Sequence, residues 1–453
     1  MCIRDRFYNP HILFDTFEIQ PLLDGTIVTD RPVVIQKISW ADLCPWTIIF
    51  KTLPIAASFS VLALALLAVV ATPAGWCISE FCLSEEARVA KVEELKNNSS
   101  PYRGVFSRAP DGQEPLEILG VRLTGPREVF LQLVSPVTKM FDHKIGLGEF
   151  FYYFFGSLWT IAVWSFAGLA ICRVSLLRLT RGEHAGLDDA FEFAIDNWTK
   201  AFGAVIAPLL AVGALCIPTS ILGLLMGLDI GVLVVGLLWF VVVGISILMG
   251  ILLLGLCFGW PLMIASVACE SQNSFDSLTR SFAYVLQRPF HYLCYGLLAI
   301  LFGGLAWVIV SSLADGMVAL TYWSVSWGAN LFGSGRIDDL IIGVTKDTEG
   351  NLTESSAMYA GRSAINFWNA VVKSLAAAFL HGLFWCLASA IYLLLRKDVD
   401  QTEMDEIYLI DEKRTYTLPP LQSDENGIPQ VRRPEPDFYE SDDPEASEKT
   451  SEE

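Results

Sequence analysis

Six long stretches of the sequence contain no charged side chain, and they constrain the fold more than any other feature. The longest runs for forty residues between Asp229 and Glu270. A helix needs about 20 apolar residues to cross the hydrocarbon core of a membrane, where no water binds the backbone polar groups. One such stretch could be a buried helix of a soluble protein, but six predict an all-α polytopic membrane protein. The predicted spans are 52–72, 150–172, 203–226, 233–258, 292–314 and 374–395.

Basic residues between the predicted spans indicate the orientation of the chain. Lys and Arg accumulate in short connections on the cytoplasmic side of a membrane. The connection after the second span carries four basic residues, whereas the connection around Asp229 carries none. Arg280 and Arg288 follow the fourth span, and the sixth ends in Arg396 and Lys397. This alternation predicts that both termini face the cytoplasm.

The forty-residue stretch allows two interpretations. As one helix it would be about 60 Å long, twice the thickness of the hydrocarbon core. Two spans with a tight turn would also fit, but they would move Arg280 and Arg288 outside. We therefore expect one span that ends near Trp260-Pro261, followed by an interfacial or re-entrant continuation over 262–269.

The remaining segments differ in composition. Residues 1–6, MCIRDR, can be encoded by codons that resemble a sequencing adapter, which predicts an artefact; a native polar N-terminus is the alternative. Between Arg396 and Glu453 there are 18 acidic and 7 basic residues, in a chain of net charge −18. This acidic segment has too few apolar residues to offset the conformational entropy that it would lose on folding, so we predict that it is disordered. The predicted segments are a cytoplasmic N-terminal part 7–39, a membrane domain 40–397 with outside regions 73–148 and 315–365, and a disordered acidic cytoplasmic tail 398–453.

Amphipathic segments precede the third and fifth spans. Apolar residues at helical spacing form one face of each segment, with charged residues opposite. We predict cytoplasmic interfacial helices that dock on the bundle, because the polar face of the first is mainly acidic and unsuited to anionic lipid. The two stripes are Leu187, Ala190, Phe191, Ala194, Ile195, Trp198 and Phe202, and Phe275, Leu278, Phe282, Val285 and Leu286.

A weaker version of the segment, WADLCPWTIIFK, precedes the first span. The chain can therefore be divided into three parallel helical-hairpin units, 40–173, 187–270 and 274–397. The alternative is that polytopic proteins commonly place amphipathic linkers before outgoing spans. In the first outside region, PREVFLQLVSPVTKMF predicts a further helix, which Ser135-Pro136 could split in two. Its apolar face would contain Phe130, Leu133, Val134, Val137, Met140 and Phe141.

The stretch WPLMIASVACESQNSFDSLTRSFAYVLQRPFHYLCYGLLAI combines an apolar span ending near a Pro, a Glu, an amphipathic helix and a basic residue before a new span. With Pro261, Glu270, Ser281 and Arg288 at these positions, it resembles uncharacterised bacterial polytopic families related to the membrane domain of glycerophosphodiester phosphodiesterases. The resemblance implies a membrane-integral module, in keeping with a bacterial inner membrane. It implies no hydrolase activity, because the chain has no room for the catalytic barrel of those enzymes.

Polar residues inside the spans are the candidates for a functional site. His381 lies in the sixth span, where hydrogen bonding to a neighbouring helix is the simpler interpretation. Pro218, with Thr219 and Ser220, could break the third span and line a transport site, although a packed kink is the alternative. We therefore consider Thr219, Ser220 and His381 as a speculative intramembrane polar site.

Cysteine and histidine spacings indicate no cofactor or metal site. Cys77 and Cys82 lie in an outside connection, where a local disulfide and two free thiols are equally compatible with the sequence. No nucleophile, nucleotide or metal signature occurs, so we expect no catalytic residues, no cofactor and no nucleic-acid partner.

The expected function is a non-catalytic scaffold or accessory component of a membrane complex, which contacts partners through its acidic tail and outside loops. The alternative is a transporter or channel for a neutral or lipid-like solute. An intramembrane enzyme is a third possibility that no residue pattern supports. The sequence does not define an oligomeric state.

Overall fold

The structure is a computed structural model that describes residues 44–83, 125–141, 145–183, 186–330, 356–402, 404 and 406–408, and four two-residue strands. All elements below belong to the unit Pro45–Glu453. The predictions for the adapter-like residues, for the N-terminal segment 7–39 and for most of the acidic tail lie outside the described residues.

Helices make up most of the described residues, as the long apolar runs predict. Short 3₁₀ helices, Pro45–Lys51 and Glu80–Cys82, lie at the two ends of the first pair of helices. The described strands form two antiparallel pairs, β1 Thr345–Lys346 with β2 Leu352–Thr353 and β3 Gln422–Ser423 with β4 Pro429–Gln430. The α-helices are α1 Thr52–Ala56, α2 Phe59–Ser79, α3 Gly125–Met140, α4 Leu147–Thr180, α5 Leu187–Leu225, α6 Asp229–Leu237, α7 Trp239–Glu270, α8 Ser274–Gln287, α9 Pro289–Asn330 and α10 Ser356–Asp400.

Six helices, α2, α4, α5, α7, α9 and α10, are long and apolar enough to cross a membrane. The prediction of a helical fold with six helices long and apolar enough to be membrane spans is therefore confirmed. α2 begins later than the first predicted span because Ser58 is extended and separates it from α1. α9 has 42 residues and α10 has 45. At 1.5 Å per residue each is about 65 Å long, so both extend well beyond the hydrocarbon core.

α10 is the central helix of the bundle. It packs against α2, α4, α7 and α9, and every residue from Ala376 to Arg396 is buried. Small residues permit this close packing. A Cβ atom on Gly168 of α4 would lie 2.7 Å from the Trp385 ring, and one on Gly382 would lie 2.8 Å from Val61 of α2. Neither position has room for a larger side chain.

α7 is one helix through Pro261, so the expected interfacial or re-entrant continuation over 262–269 is wrong. The expectation of a single long span in this stretch agrees with the structure, although a break at Leu238 separates the short helix α6 from α7. Residues 259–269 are all buried, between α4, α8 and α10. This packing outweighs the loss of one backbone hydrogen bond at the proline.

α3 packs into the bundle against α4, α9 and α10, although its sequence belongs to the predicted outside region. Pro136 is buried within the helix and does not split it. Phe130, Leu133 and Val134 of the predicted apolar face pack against the core, whereas Phe141 is exposed. The first turn of α3 packs closely against α9, because a Cβ atom on Gly125 would lie 2.6 Å from the Trp307 ring.

The two amphipathic segments dock on the bundle, but not by the predicted stripes alone. The first forms the start of α5, and its buried face includes Phe193 and Asn197, whereas Phe191 and Ile195 of the stripe are exposed. The second segment is α8, whose buried residues are Ser277, Ser281, Tyr284 and Val285. The apolar periodicity predicted the position of each helix correctly. The contact with the bundle, however, is made by small and polar residues as well as by apolar ones, because small side chains fit between closely packed helices.

Candidate functional site

Glu270, the last residue of α7, is the centre of a partly buried group of charged side chains. Arg280 Nη1 lies 2.8 Å from Glu270 Oε2. Arg396 Nε lies 2.9 Å from Oε1, as an ion pair without hydrogen-bond geometry. The Tyr392 hydroxyl donates to Oε1 at 3.3 Å. The side chains of Glu270 and Arg396 are only 14% and 8% exposed, so water screens this pair weakly.

α8 and the end of α10 add a second carboxylate, Asp400. The Tyr284 hydroxyl donates to it, and Arg280 Nη1 lies 3.6 Å from its Oδ2 atom. Burial, and then the hydrogen bond to Asp400, raises the pKa of Tyr284 well above its usual value, so it remains a neutral donor. Burial is the largest single influence on the pKa of Arg280 and lowers it, but Glu270, Tyr284 and Tyr392 together raise this pKa above its usual value. We call these six residues, Glu270, Arg280, Tyr284, Tyr392, Arg396 and Asp400, the Glu270 network.

The end of α7 is fixed by a second set of polar contacts beside the Glu270 network. Ser271 adopts a left-handed conformation, with φ of 51°, and its N–H donates to Val267 O at 2.8 Å. Lys200 of α5 donates to Asn197 Oδ1 at 2.8 Å and to Ser271 O at 3.1 Å. The Lys200 ammonium group thus binds the Ser271 carbonyl just beyond the last turn of α7, and its positive charge interacts favourably with the dipole at this C-terminal end of the helix.

The residues after α10 fold back onto this end of the bundle. Gln401, with φ of 53°, reverses the chain. The Tyr408 N–H then donates to Cys269 O at 3.0 Å, and Ile407 is 4% exposed in the core. The tail therefore does not start at residue 398 as predicted, because α10 continues to Asp400 and Ile407 and Tyr408 pack on the bundle.

Two buried arginines hold this returning segment, which we call the tail anchor, residues 406–408. Arg173 of α4 donates to Tyr408 O at 2.7 Å and to Ala268 O at 3.1 Å, and its guanidinium lies 4.4 Å from the Phe193 ring. Arg396 donates to Glu406 O at 2.7 Å. Both contacts are made to backbone carbonyls, so they fix the path of the chain rather than recognise its side chains.

In the Glu270 network and the tail anchor, each charged side chain is paired with another group of the chain. The charged groups of the network neutralise one another, and no cysteine or serine nucleophile is paired there with a histidine. Within the described ranges, no group of three or more His, Cys, Asp or Glu residues could hold a metal ion. The arrangement is suited to holding α4, α7, α8 and α10 in fixed positions.

Two apolar cavities lie on either side of α3. Cavity A, of about 330 Å³, lies between α3, α4, α5 and α7, and Trp164 and Trp260 form part of its wall. Cavity B, of about 450 Å³, lies between α3, α7, α9 and α10. Both volumes are in the range of small-molecule sites.

The structure does not bring together the residues of the speculative polar site. His381 is buried, its ring stacks on Trp164 with centroids 4.8 Å apart, and its Nδ1 lies 2.8 Å from Ala377 O of its own helix. Thr219 donates to Cys216 O, also within its own helix, at 2.9 Å, and Ser220 is exposed. α5 is continuous through Pro218, so the third span is not broken.

Cys77 and Cys82 are free thiols in the structure. Cys77 is exposed in the last turn of α2, and Cys82 is half-buried at the end of the following 3₁₀ helix. Their disulfide remains a prediction.

No family model, curated protein or solved structure matches this chain. The resemblance to bacterial polytopic families therefore remains a prediction that these comparisons do not test.

Sequence reasoning missed the Glu270 network because its members come from three helices. In the sequence alone, Arg280 and Arg396 indicate only the orientation of the chain, and Glu270 is only part of the pattern that carries the family resemblance. A detectable signal was present: a single acid ends a forty-residue uncharged stretch, and basic residues end or follow the neighbouring spans. Arg173 directly follows the second predicted span and is a basic residue of the same kind, but no local pattern indicates that it binds the segment after α10.

Proposed function

We propose that this chain is a non-catalytic integral protein of the bacterial inner membrane, with both termini in the cytoplasm, that acts as a scaffold or accessory component of a membrane complex. The tail anchor is the observation that carries the proposal. It gives the acidic segment after Tyr408 a fixed starting point on the bundle, so that a partner bound to this segment would be held close to the membrane domain.

The distribution of basic residues supports the orientation. Arg173, Lys200, Arg280 and Arg396 all contribute to the Glu270 end of the bundle. Because Lys and Arg favour the cytoplasmic side, this end, and with it the tail, would face the cytoplasm. A membrane-impermeant thiol reagent tests the orientation on single-Cys variants. Cys82 should be labelled in intact cells, and a cysteine introduced by Glu403→Cys should not; the reverse pattern would refute it.

Crosslinking in cells tests the scaffold function. A photoreactive amino acid placed at Tyr416 or Phe438 should crosslink to a defined membrane protein, and Arg173→Gln should weaken the crosslink at unchanged protein abundance. Arg288→Gln is the control, because Arg288 is exposed and outside the tail anchor. No specific crosslink at either position, together with an unchanged phenotype after deletion of 409–453, would refute the scaffold proposal.

We also propose that α5 and α8 begin equivalent units of a parallel repeat, with their amphipathic segments at the cytoplasmic interface. When Asp188 is aligned with Asp276, Phe193 corresponds to Ser281 and Asn197 to Val285. All four of these aligned residues are buried against the bundle. The units would be 187–270 and 274–397, with 40–173 as a more divergent first unit.

Cavity A favours a second candidate function, a transporter for a neutral or lipid-like solute. Its lining is mainly apolar and is contributed by four helices. If a solute passes through it, Ile161→Trp should slow the transfer of a fluorescent lipid analogue across vesicles containing the purified protein. Leu254→Trp is the control, since this side chain is exposed on α7 and lines neither cavity. Equal transfer by both variants and the unmodified protein would exclude this use of cavity A.

A further inference from the structure

Cavity B has the size and composition expected for an apolar chain. It has a volume of about 450 Å³, and most of its wall consists of aliphatic and aromatic side chains, including Leu293, Leu297 and Phe384. Tyr292 is the polar exception on α9, and its hydroxyl already donates to Phe258 O at 2.8 Å. The aliphatic wall therefore favours a hydrocarbon occupant.

The cavity lies at the depth of the membrane-spanning helices. Its α3 end is close to α9 and α10, because a Cβ atom on Gly303 would lie 2.5 Å from Pro126 and 3.1 Å from Leu387. Leu387 precedes Arg396 by nine residues, which corresponds to about 14 Å along α10. Leu293 and Leu297 of its wall are 56% and 59% exposed, so cavity B opens to the side of the bundle and an occupant would lie in a groove there.

Arg127 supplies the one charged group among the lining residues that the structure describes. It follows Pro126 in the first turn of α3, is exposed, and makes no ion pair or hydrogen bond with the described parts of the chain. Its neighbour Glu128 is also exposed. Among the described residues this guanidinium has no partner; such a charge is costly at membrane depth, and an anion beside it would reduce this cost. The planar guanidinium is particularly suited to phosphate.

We propose that cavity B binds one anionic phospholipid, with its phosphate at Arg127 and an acyl chain against the α9 wall between Leu293 and Ile300. The charge of Arg127 selects the anionic headgroup, and the apolar wall selects the chain. The proposal requires only that the helices span a membrane. It is independent of the scaffold function and of transport through cavity A.

Native mass spectrometry of the delipidated full-length protein in detergent tests this proposal. Phosphatidylglycerol should bind more tightly than phosphatidylcholine of the same chain length. Arg127→Gln should weaken phosphatidylglycerol binding by about tenfold or more, since a charge-assisted contact is lost, and should leave phosphatidylcholine unchanged. Lys139→Gln is the matched control on α3, because Lys139 lies at the other end of the helix, 5.8 Å from the Tyr153 ring.

A cavity-filling variant tests the acyl-chain position separately. Gly296 lines cavity B, and a Cβ atom there would have no neighbour within 4 Å, so Gly296→Leu should fold normally. It should weaken binding of both phospholipids. Gly236→Leu is the control, because Gly236 is equally open but lies on α6, away from the cavity.

Three results would overturn the proposal. The first is equal binding of the two phospholipids with no effect of Arg127→Gln. The second is unchanged binding in Gly296→Leu, which would place the lipid elsewhere. The third is displacement of phosphatidylglycerol by inorganic phosphate or by oleate at equal concentration, which would identify a simple anion or a fatty acid as the ligand.

Discussion

The two halves of α7 have similar apolar sequences and opposite environments. No residue from Trp239 to Leu254 is buried, whereas residues 259–269 are all buried. The first half is rich in Val, Ile and Leu, which suit contact with lipid. The second contains Gly259, Ala265 and Ser266, which let neighbouring helices approach. Hydropathy therefore shows that the helix can cross a membrane, but small and polar residues determine which half packs in the protein.

The largest effect should come from breaking the buried charges at the packed end. Glu270→Gln keeps the shape of the side chain but leaves Arg396 without a carboxylate and Arg280 with only Asp400, at 3.6 Å. We expect a loss of about 3–5 kcal/mol of unfolding free energy, seen as a lower thermal unfolding midpoint in detergent. Asp276→Asn is the control, because Asp276 is exposed on α8. Equal midpoints for the two variants would contradict the role of the Glu270 network.

The same truncation in each half of α7 compares the two environments directly. Leu262 is 2% exposed and Leu254 is 52% exposed. Leu262→Ala should cost about 2–4 kcal/mol, because it leaves a cavity in the bundle. Leu254→Ala should cost less than about 0.5 kcal/mol, because its surroundings are not protein. Similar unfolding midpoints for both variants would mean that the first half of α7 is covered by protein, for example in an oligomer.

The sequence predicted the parts of the fold that depend on hydropathy. The number of spans follows from the number and length of the apolar stretches, and the positions of α3, α5 and α8 in the sequence follow from helical periodicity. The continuous α7 was not predicted, because Pro261 is a helix breaker unless tertiary packing holds it. The Glu270 network was not predicted, because no local pattern shows that residues 270, 280 and 396 meet.

The tail anchor should be the next most sensitive feature. Arg173→Gln removes charged donors to Tyr408 O and Ala268 O, and we expect a loss of about 1–3 kcal/mol. Hydrogen exchange should increase at the Tyr408 N–H, which bonds to Cys269 O, more than elsewhere in the bundle. Arg288→Gln should not change it. Uniformly faster exchange across all helices would instead indicate that Arg173 supports only the general stability of the bundle.

The smallest effect should be a pH dependence confined to the packed end. Burial and Asp400 raise the pKa of Tyr284, so the folded chain keeps this proton at a pH where the unfolded chain loses it. The contribution of Tyr284 to stability is thus fully present below its usual pKa of about 10 and is lost as the pH rises above that value. Tyr284→Phe removes the hydrogen bond to Asp400, and at pH 8 it should lower the free energy of unfolding by about 1 kcal/mol. This difference in unfolding free energy from the unmodified protein should diminish between about pH 10 and 11. For Leu254→Ala, in the exposed half of α7, the difference in unfolding free energy from the unmodified protein should be the same at every pH. A constant difference for Tyr284→Phe as well would show that the hydroxyl does not titrate differently in the folded chain.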